Sequence, residues 1–351
     1  MYGATASANI KARKKARRAG KHGSARLRYA IPLLLVGLVA AFCIGIYTGF
    51  QTLDLTTLRN DPVAQSIFFR LRLPRVIMAA IVGSSLAIVG AALQSLFRNP
   101  LADPFTLGVS GGAALGASLA IVFGLGANVV GVPLIFLAAF AGSGVAVFVV
   151  YRLARTGGVV LPGALLLSGI VLNLFASAGV LVLQYLADMT RSLQILRWLM
   201  GSLDVVGFDL IWKVLIFITP CCVLLIAYAR DLHLLAIGEE SAASLGVNVR
   251  RTERAIYVLS SLIVAVTVSV GGTIGFVGLI VPHAARLLFG QDVRVLLPTS
   301  FLLGAAFLIL ADALARVVVS PGELPVGVVT ALAGGPVFLW LLRNRRRYTA
   351  I

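Results

Sequence analysis

Apolar runs of about twenty residues, separated by short polar or basic stretches, recur along the whole chain, and each has the length of a bilayer span. The first covers 31–50. The others cover 73–97, 105–125, 129–151, 160–187, 209–229, 255–272, 274–289, 295–318 and 324–342. At 1.5 Å rise per residue such runs cross the hydrocarbon core as helices. The pattern predicts an all-α polytopic membrane protein of about ten transmembrane helices. The first run has no small-x-small cleavage site before Gln51, so it reads as a span and not as a signal-peptide core. The stretch 255–289 is the least regular. Gly271, Gly272, Gly275, Gly278 and Pro282 mark either two spans joined tightly or broken helices lining a cavity. Small residues four apart recur at Gly83 and Ala87, at Gly108, Gly112 and Gly116, and at Ala138 and Gly142. That spacing lets helices approach closely in lipid.

Composition agrees with this reading. Of 351 residues, 59% are hydrophobic and 12% charged, too few charges to clothe a soluble fold. The net charge of +17 is gathered at the termini and in short loops. It points to membrane lipid as the partner and not to nucleic acid. Residues 1–30 form a basic tail with Lys11, Arg13, Lys14, Lys15, Arg17, Arg18, Lys21, Arg26 and Arg28, and 344–351 form a second one. With the N-terminus in the cytoplasm, ten spans return the C-terminus there. Arg98, Arg152, Arg155, Arg230, Arg250, Arg251, Arg254, Arg286, Arg294 and Arg343 then fall inside, as positive-inside bias requires. Seven arginines break the bias: Arg59, Arg70, Arg72, Arg75, Arg191, Arg197 and Arg316. Two readings stay open for them, interfacial snorkelling or a surface for an acidic partner or anionic solute.

Little in the chain suggests catalysis. No Gly-rich phosphate loop with Lys-Ser/Thr is present, so ATP is not bound by that route. Cys43, Cys221 and Cys222 lie in apolar runs without metal spacing. His22 and His233 fall in polar segments, and His283 reads as a histidine bonded to nearby backbone. Asp312 is the deepest acid, with Arg316 one helical turn on as its natural partner. A secondary transporter or a membrane-embedded enzyme calls for more intramembrane acids or histidines than these. The segment 232–254 is too polar to span. Glu239 and Glu240 open a short helix that Gly246 ends, a unit suited to a soluble partner or to an ordinary surface.

Several ordered stretches resemble the FecCD-type permeases of ABC importers for siderophores, haem and cobalamin. They are "RLPRVIMAAIVGSSLAIVGAALQSLFRNPLADPFTLGVSGGAALGA" (72–117), "GEESAASLG" (238–246), "GGTIGFVGLIVPHAARLLFG" (271–290), "ADALAR" (311–316) and "LPVGVVTALAGGPVFLWLL" (324–342). The resemblance covers 31–343, read as one permease domain of the type II importer fold, and leaves out the N-terminal tail. It implies a homodimer in a bacterial inner membrane, served by two cytoplasmic ATPase subunits and a periplasmic binding protein. ATP and Mg would be bound by those ATPases, with no cofactor and no catalytic or metal-binding residue in this chain. By motif match, Arg72, Arg75 and Arg316 would dock the binding protein. Asn99 and Leu101 of "RNPLADP", with Pro162 and Gly163, would form the cytoplasmic gate. Glu239, Glu240, Ala242, Leu245 and Gly246 within 232–254 would couple to the ATPase. "VVLPGALLLSG" departs from the small polar residues expected at the second gate element. Val293 stands where the family often has histidine, which reads as a surface change. Overall similarity to the haem-importing branch makes haem the expected cargo, with ferric siderophore and then cobalamin as alternatives. Arg191 and Arg197 are candidates for attracting haem propionates.

Overall fold

The computed structural model describes residues 30–49, 59, 61–129, 131–156, 159–160, 162–319 and 322–344. The basic tails, 1–29 and 345–351, lie outside the described residues. In chain order the helices are α1 (Ala30–Tyr47), α2 (Pro62–Leu96), α3 (Val109–Val122), α4 (Leu134–Ala154) and α5 (Pro162–Leu186). Next come α6 (Met189–Leu199), α7 (Asp209–Ala227), α8 (Ala229–Ile237) and α9 (Glu239–Ser244). The last four are α10 (Val249–Gly271), α11 (Val277–Phe289), α12 (Val293–Ala315) and α13 (Val326–Asn344). Two short antiparallel hairpins, 128–133 and 155–160, join α3 to α4 and α4 to α5. Seven helices (α1, α2, α4, α5, α7, α10 and α12) are long and apolar enough to cross a membrane. With the shorter apolar α3, α11 and α13, they make up the ten spans that the hydropathy pattern predicts.

The second span starts earlier than the pattern suggests. Asp61 caps it, accepting a hydrogen bond from the Val63 amide at 2.8 Å, and Pro62 fills the first turn, where no amide is needed. Arg70, Arg72 and Arg75, expected in a loop, therefore lie on a helix. The helix widens to π-type over Phe68–Arg72, just before Pro74. Proline cannot donate to the carbonyl four residues back. That carbonyl, of Arg70, accepts the Gly207 amide instead, at 2.8 Å.

Helix α2 is the axis of the bundle. In its most apolar stretch 83% of residues are buried, against 17–28% in α1, α4, α5 and α7. A helix enclosed this way needs close neighbours, and glycines provide them. A methyl added at Gly83 would overlap the Gly304 carbonyl of α12, and one at Gly304 would strike Ala87. A methyl at Gly90 would overlap the Gly278 carbonyl of α11. On the other side, Gly112 and Gly116 of α3 meet Gly142 and Ala138 of α4 in the same manner. The small residues four apart in the sequence are thus the crossing points of helices.

The irregular stretch 255–289 forms two helices with a non-helical link at 272–276. Gly272 and Phe276 have positive φ, +67° and +69°. Any side chain at Gly272 would run into the Trp198 carbonyl, which explains glycine there. Phe276 holds a left-handed conformation that a bulky residue adopts only under constraint. In α11, Pro282 frees the carbonyl of Gly278. The Nε2 of Gln94, a fully buried side chain on α2, donates to it at 3.1 Å, and its Oε1 accepts from Arg286 Nη1 at 2.7 Å.

Overpacking a close crossing costs about 1–3 kcal/mol or more. Gly90→Ala is expected to lower the unfolding temperature of the detergent-purified protein by several degrees. Gly37→Ala, where an added methyl meets nothing within 4 Å, is expected to leave it unchanged or slightly raised. Equal effects in a thermal-shift assay would refute the close-approach account.

Candidate translocation and coupling sites

Arg72, Arg75 and Arg316 do converge at one end of the bundle. Two of them, however, serve the fold. The last carbonyls of a helix lack intrahelical donors and carry its negative dipole end. Arg316 donates to the carbonyls of Thr48 (2.6 Å) and Gly45 (2.7 Å), at the end of α1, and Arg72 to that of Ile46 (3.5 Å). They are only 4% and 8% exposed. Among the described residues, Arg72 and Arg316 are thus engaged by the α1 terminus, and Arg75 is not.

Arg75 is the hub of the cluster. Its Nε meets Asp312 Oδ1 at 2.9 Å, and its Nη1 meets Glu323 Oε2 at 2.6 Å and Asp204 Oδ1 at 2.9 Å. Asp312 also pairs with Arg316 at 3.1 Å, the one-turn pair expected from the sequence. Two of the arginines, Arg75 and Arg316, thus share three carboxylates. Asp312 is sealed, whereas Asp204 and Glu323 keep 71% and 46% of their side-chain surface open. Sequence reasoning missed Asp204 and Glu323. Each is the single acid of its loop, 200–208 and 316–325.

Asp204 also lines a cavity of about 790 Å³ between α3, α4, α6 and the end of α10. Arg191 and Arg197 of α6 line it as well, so the structure brings both candidates to one site. Asp188 caps α6 through the Arg191 amide (2.9 Å) and pairs with its guanidinium at 3.3 Å. Trp198, on the same wall, buries an Nε1–H that has no partner among the described residues. The cavity therefore offers apolar walls and two guanidiniums, with the carboxylates of Asp188 and Asp204 beside them.

At the opposite end, Asn99 and Leu101 fold into a turn in which the Leu101 amide donates to Asn99 Oδ1 at 3.0 Å. The following residues 104–107 form a 3-10 turn held from α5. Asn173 Nδ2 donates to the Phe105 carbonyl (2.9 Å), and its Oδ1 accepts the Gly111 amide (3.0 Å). Asp103 caps this turn. Burial pushes its carboxyl up to about 6, against the opposing effect of the Phe105 amide bond. Gly163 lies at the start of α5 in open space, and the Pro162 side chain lies outside the described residues.

The polar segment lies at this end too. Helix α9 begins at Glu239, and Gly246 follows it at φ +88°, the left-handed stop that favours glycine. Ala242 is buried, while Glu240 and Leu245 face outward. Leu235, Ala242 and Val247 form a small core against Leu96, the last residue of α2. Arg98, in a strained left-handed conformation at φ 48°, fastens the unit. It donates to the Leu235 carbonyl at 3.1 Å and pairs with Glu239 at 3.3 Å. Thus the residue just before Asn99 grips α8 and α9.

Two single-residue readings change. His283 Nε2 is buried with no hydrogen-bond partner among the described residues, contrary to the expected backbone bond. Helix carbonyls nearby are used within the helix, and the one that Pro282 frees is taken by Gln94. Val293 is not a surface substitution. It is 2% exposed, the first residue of α12 after its Asp292 cap.

The sequence profile of the FecCD transport family matches residues 33–344. The chain belongs to the FecCD transport family. Among its relatives is the Bacillus subtilis ABC transporter permease YvrB, 43% identical over 82% of each chain. The Yersinia pestis hemin transport permease HmuU is 40% identical over 93% of this chain and 98% of its own. A Halobacterium salinarum cobalamin import permease is 46% identical over 80% and 74%. A solved metal-chelate type ABC transporter, in an inward-facing conformation, superposes with a TM-score of 0.78 at 32% identity, covering 90% of this chain and 99% of that one. This FecCD protein is therefore the membrane-spanning permease of an ABC importer.

Removing one partner of a buried ion pair costs about 3–5 kcal/mol, because the other charge stays buried and uncompensated. Asp312→Ala is expected to destabilise the purified permease by that order, and Asp312→Ala with Arg75→Met by clearly less. Additive losses in a thermal double-mutant cycle would show that the cluster is not coupled.

Proposed function

We propose that this FecCD permease moves haem, or another large iron chelate, from the periplasm to the cytoplasm of a bacterial cell. A binding protein delivers the cargo at the arginine end, and two ATPase subunits drive a homodimer from the opposite end, where both termini lie. The observation that carries the cargo reading is the 790 Å³ cavity, with Arg191 and Arg197 set on largely apolar walls. That set suits a flat apolar ligand with peripheral carboxylates. The near full-length similarity to a hemin permease supports it. Cobalamin, or a ferric siderophore, is the second reading, favoured by the 46% identical cobalamin permease.

Docking on this reading is an exchange of carboxylates. An acid of the binding protein replaces the open Glu323 or Asp204 on Arg75, while Arg72 and Arg316 keep the α1 terminus in place. Because Asp204 belongs both to the Arg75 cluster and to the cavity wall, exchange at Arg75 alters the cavity directly. At the other end the ATPase grips Glu240 and Leu245 of α9. Arg98 carries the movement to Asn99 and Leu101 at the gate, which Gly163 at the start of α5 completes on this reading.

The test uses liposomes containing the permease, its cognate ATPase and its binding protein. Haem-loaded binding protein is expected to stimulate ATP hydrolysis several-fold over ferric-siderophore-loaded protein. Arg75→Glu is expected to remove the stimulation while leaving ATPase assembly intact. Stimulation by the siderophore form alone overturns the haem reading, and full stimulation of Arg75→Glu overturns docking at Arg75.

A further inference from the structure

A second cavity, of about 560 Å³, lies on the outer side of the bundle between α4 and α10. The two helices run antiparallel. Tyr151 lies beside Tyr257 with ring centroids 5.6 Å apart, and Arg155 and Arg254 stand together at the mouth, at the same end of the bundle as α8 and α9. From that mouth the groove follows α4 back to Phe140, fifteen residues or about 22 Å of helix. This is the depth of one leaflet counted with its headgroup zone, about 20–22 Å, of which the acyl region is about 15 Å. Its walls are apolar, and Phe148, Val258 and Leu262 are open to the outside, where the solvent of a spanning helix is lipid.

The two arginines decide what fills the groove. Neither guanidinium makes an ion pair or hydrogen bond with another of the described residues. The neighbouring acid, Glu253, interacts with Glu239 and Arg98 instead. A cation pair with no acid opposite, set above an apolar slot at the membrane interface, matches a headgroup of net negative charge on an acyl chain. A zwitterionic headgroup would place its own cation against the pair. Tyrosine rings just below the guanidiniums fit the interfacial depth. We propose that the groove between α4 and α10 binds an anionic phospholipid of the phosphatidylglycerol type, its phosphate on Arg155 and Arg254 and one acyl chain along Phe148 and Leu262. The site is separate from the cargo cavity, and adjoins the hairpin that leads into α5. It does not depend on which chelate the permease carries.

Gly144 allows the slot to be tested apart from the charges. It lines the groove, and a Cβ added there meets nothing within 4 Å, so Gly144→Phe directs a ring into the slot from an open position. The measurement is native mass spectrometry of the detergent-purified full chain, titrated with dioleoyl phosphatidylglycerol or dioleoyl phosphatidylcholine. The wild type is expected to prefer the anionic lipid on the order of tenfold, given two arginines at the interface. Arg155→Gln with Arg254→Gln is expected to lose that preference. Gly144→Phe, with its thermal unfolding unchanged, is expected to lose the tight-binding lipid although both arginines remain. Retention of the preference by the arginine pair variant overturns the headgroup assignment. Undiminished binding by Gly144→Phe shows diffuse attraction to the basic surface and overturns the groove.

Discussion

The structure depends on enclosing α2 among other helices where no water is present to satisfy backbone groups. Inside a bilayer every amide and carbonyl needs a partner from the protein itself. At two prolines, Pro74 of α2 and Pro282 of α11, that demand is met by a donor from a neighbouring segment. The Arg70 carbonyl, released by Pro74, takes an amide from the loop after α6. The Gly278 carbonyl, released by Pro282, takes the side chain of Gln94. Both exchanges require backbones in near contact, and Gly83, Gly90, Gly278 and Gly304 allow it. Glycine, proline and the single buried glutamine are therefore one arrangement and not three separate features.

The same helix links the two ends of the molecule. At its start Arg72 and Arg75 tie it to the terminus of α1, to Asp312 of α12, and to the two loops carrying Asp204 and Glu323. At its finish Leu96 and Arg98 tie it to α8 and α9, directly before the turn of Asn99 and Leu101. A rigid, buried rod with charged fastenings at both ends suits a permease in which events at one face must be felt at the other. The fastenings differ in character. The Arg75 cluster is largely sealed, with two open carboxylates available for exchange. The Arg98–Glu239 pair is exposed, so it works more through position than through energy.

Much of this was legible in the amino-acid sequence. Span count followed from run lengths, and helix crossings followed from Gly83, Ala87, Gly112, Gly116 and Gly142. The stop at Gly246 and the pair of Asp312 with Arg316 were local, and local spacing showed them. What spacing did not show is pairing across long sequence separations. Arg75 reads as a lone exposed cation until Asp204, Asp312 and Glu323 arrive from three other segments. The contacts of Arg72 and Arg316 with the terminus of α1 were not legible either, since that terminus carries no sequence mark beyond Gly45 and Gly49. The early start of α2 was hidden by Arg70 and Arg72, which break the hydropathy run but not the helix. His283 and Val293 were misjudged for the complementary reason, since burial in a bundle is set by neighbours and not by the residue itself.

The most direct test of the permease assignment is the energy source for uptake. Haem accumulation would be followed inside liposomes carrying the permease with its cognate ATPase, loaded binding protein outside and ATP inside. The account predicts accumulation that needs ATP hydrolysis and persists when ion gradients are collapsed. Accumulation driven by a proton or sodium gradient without ATP would contradict it.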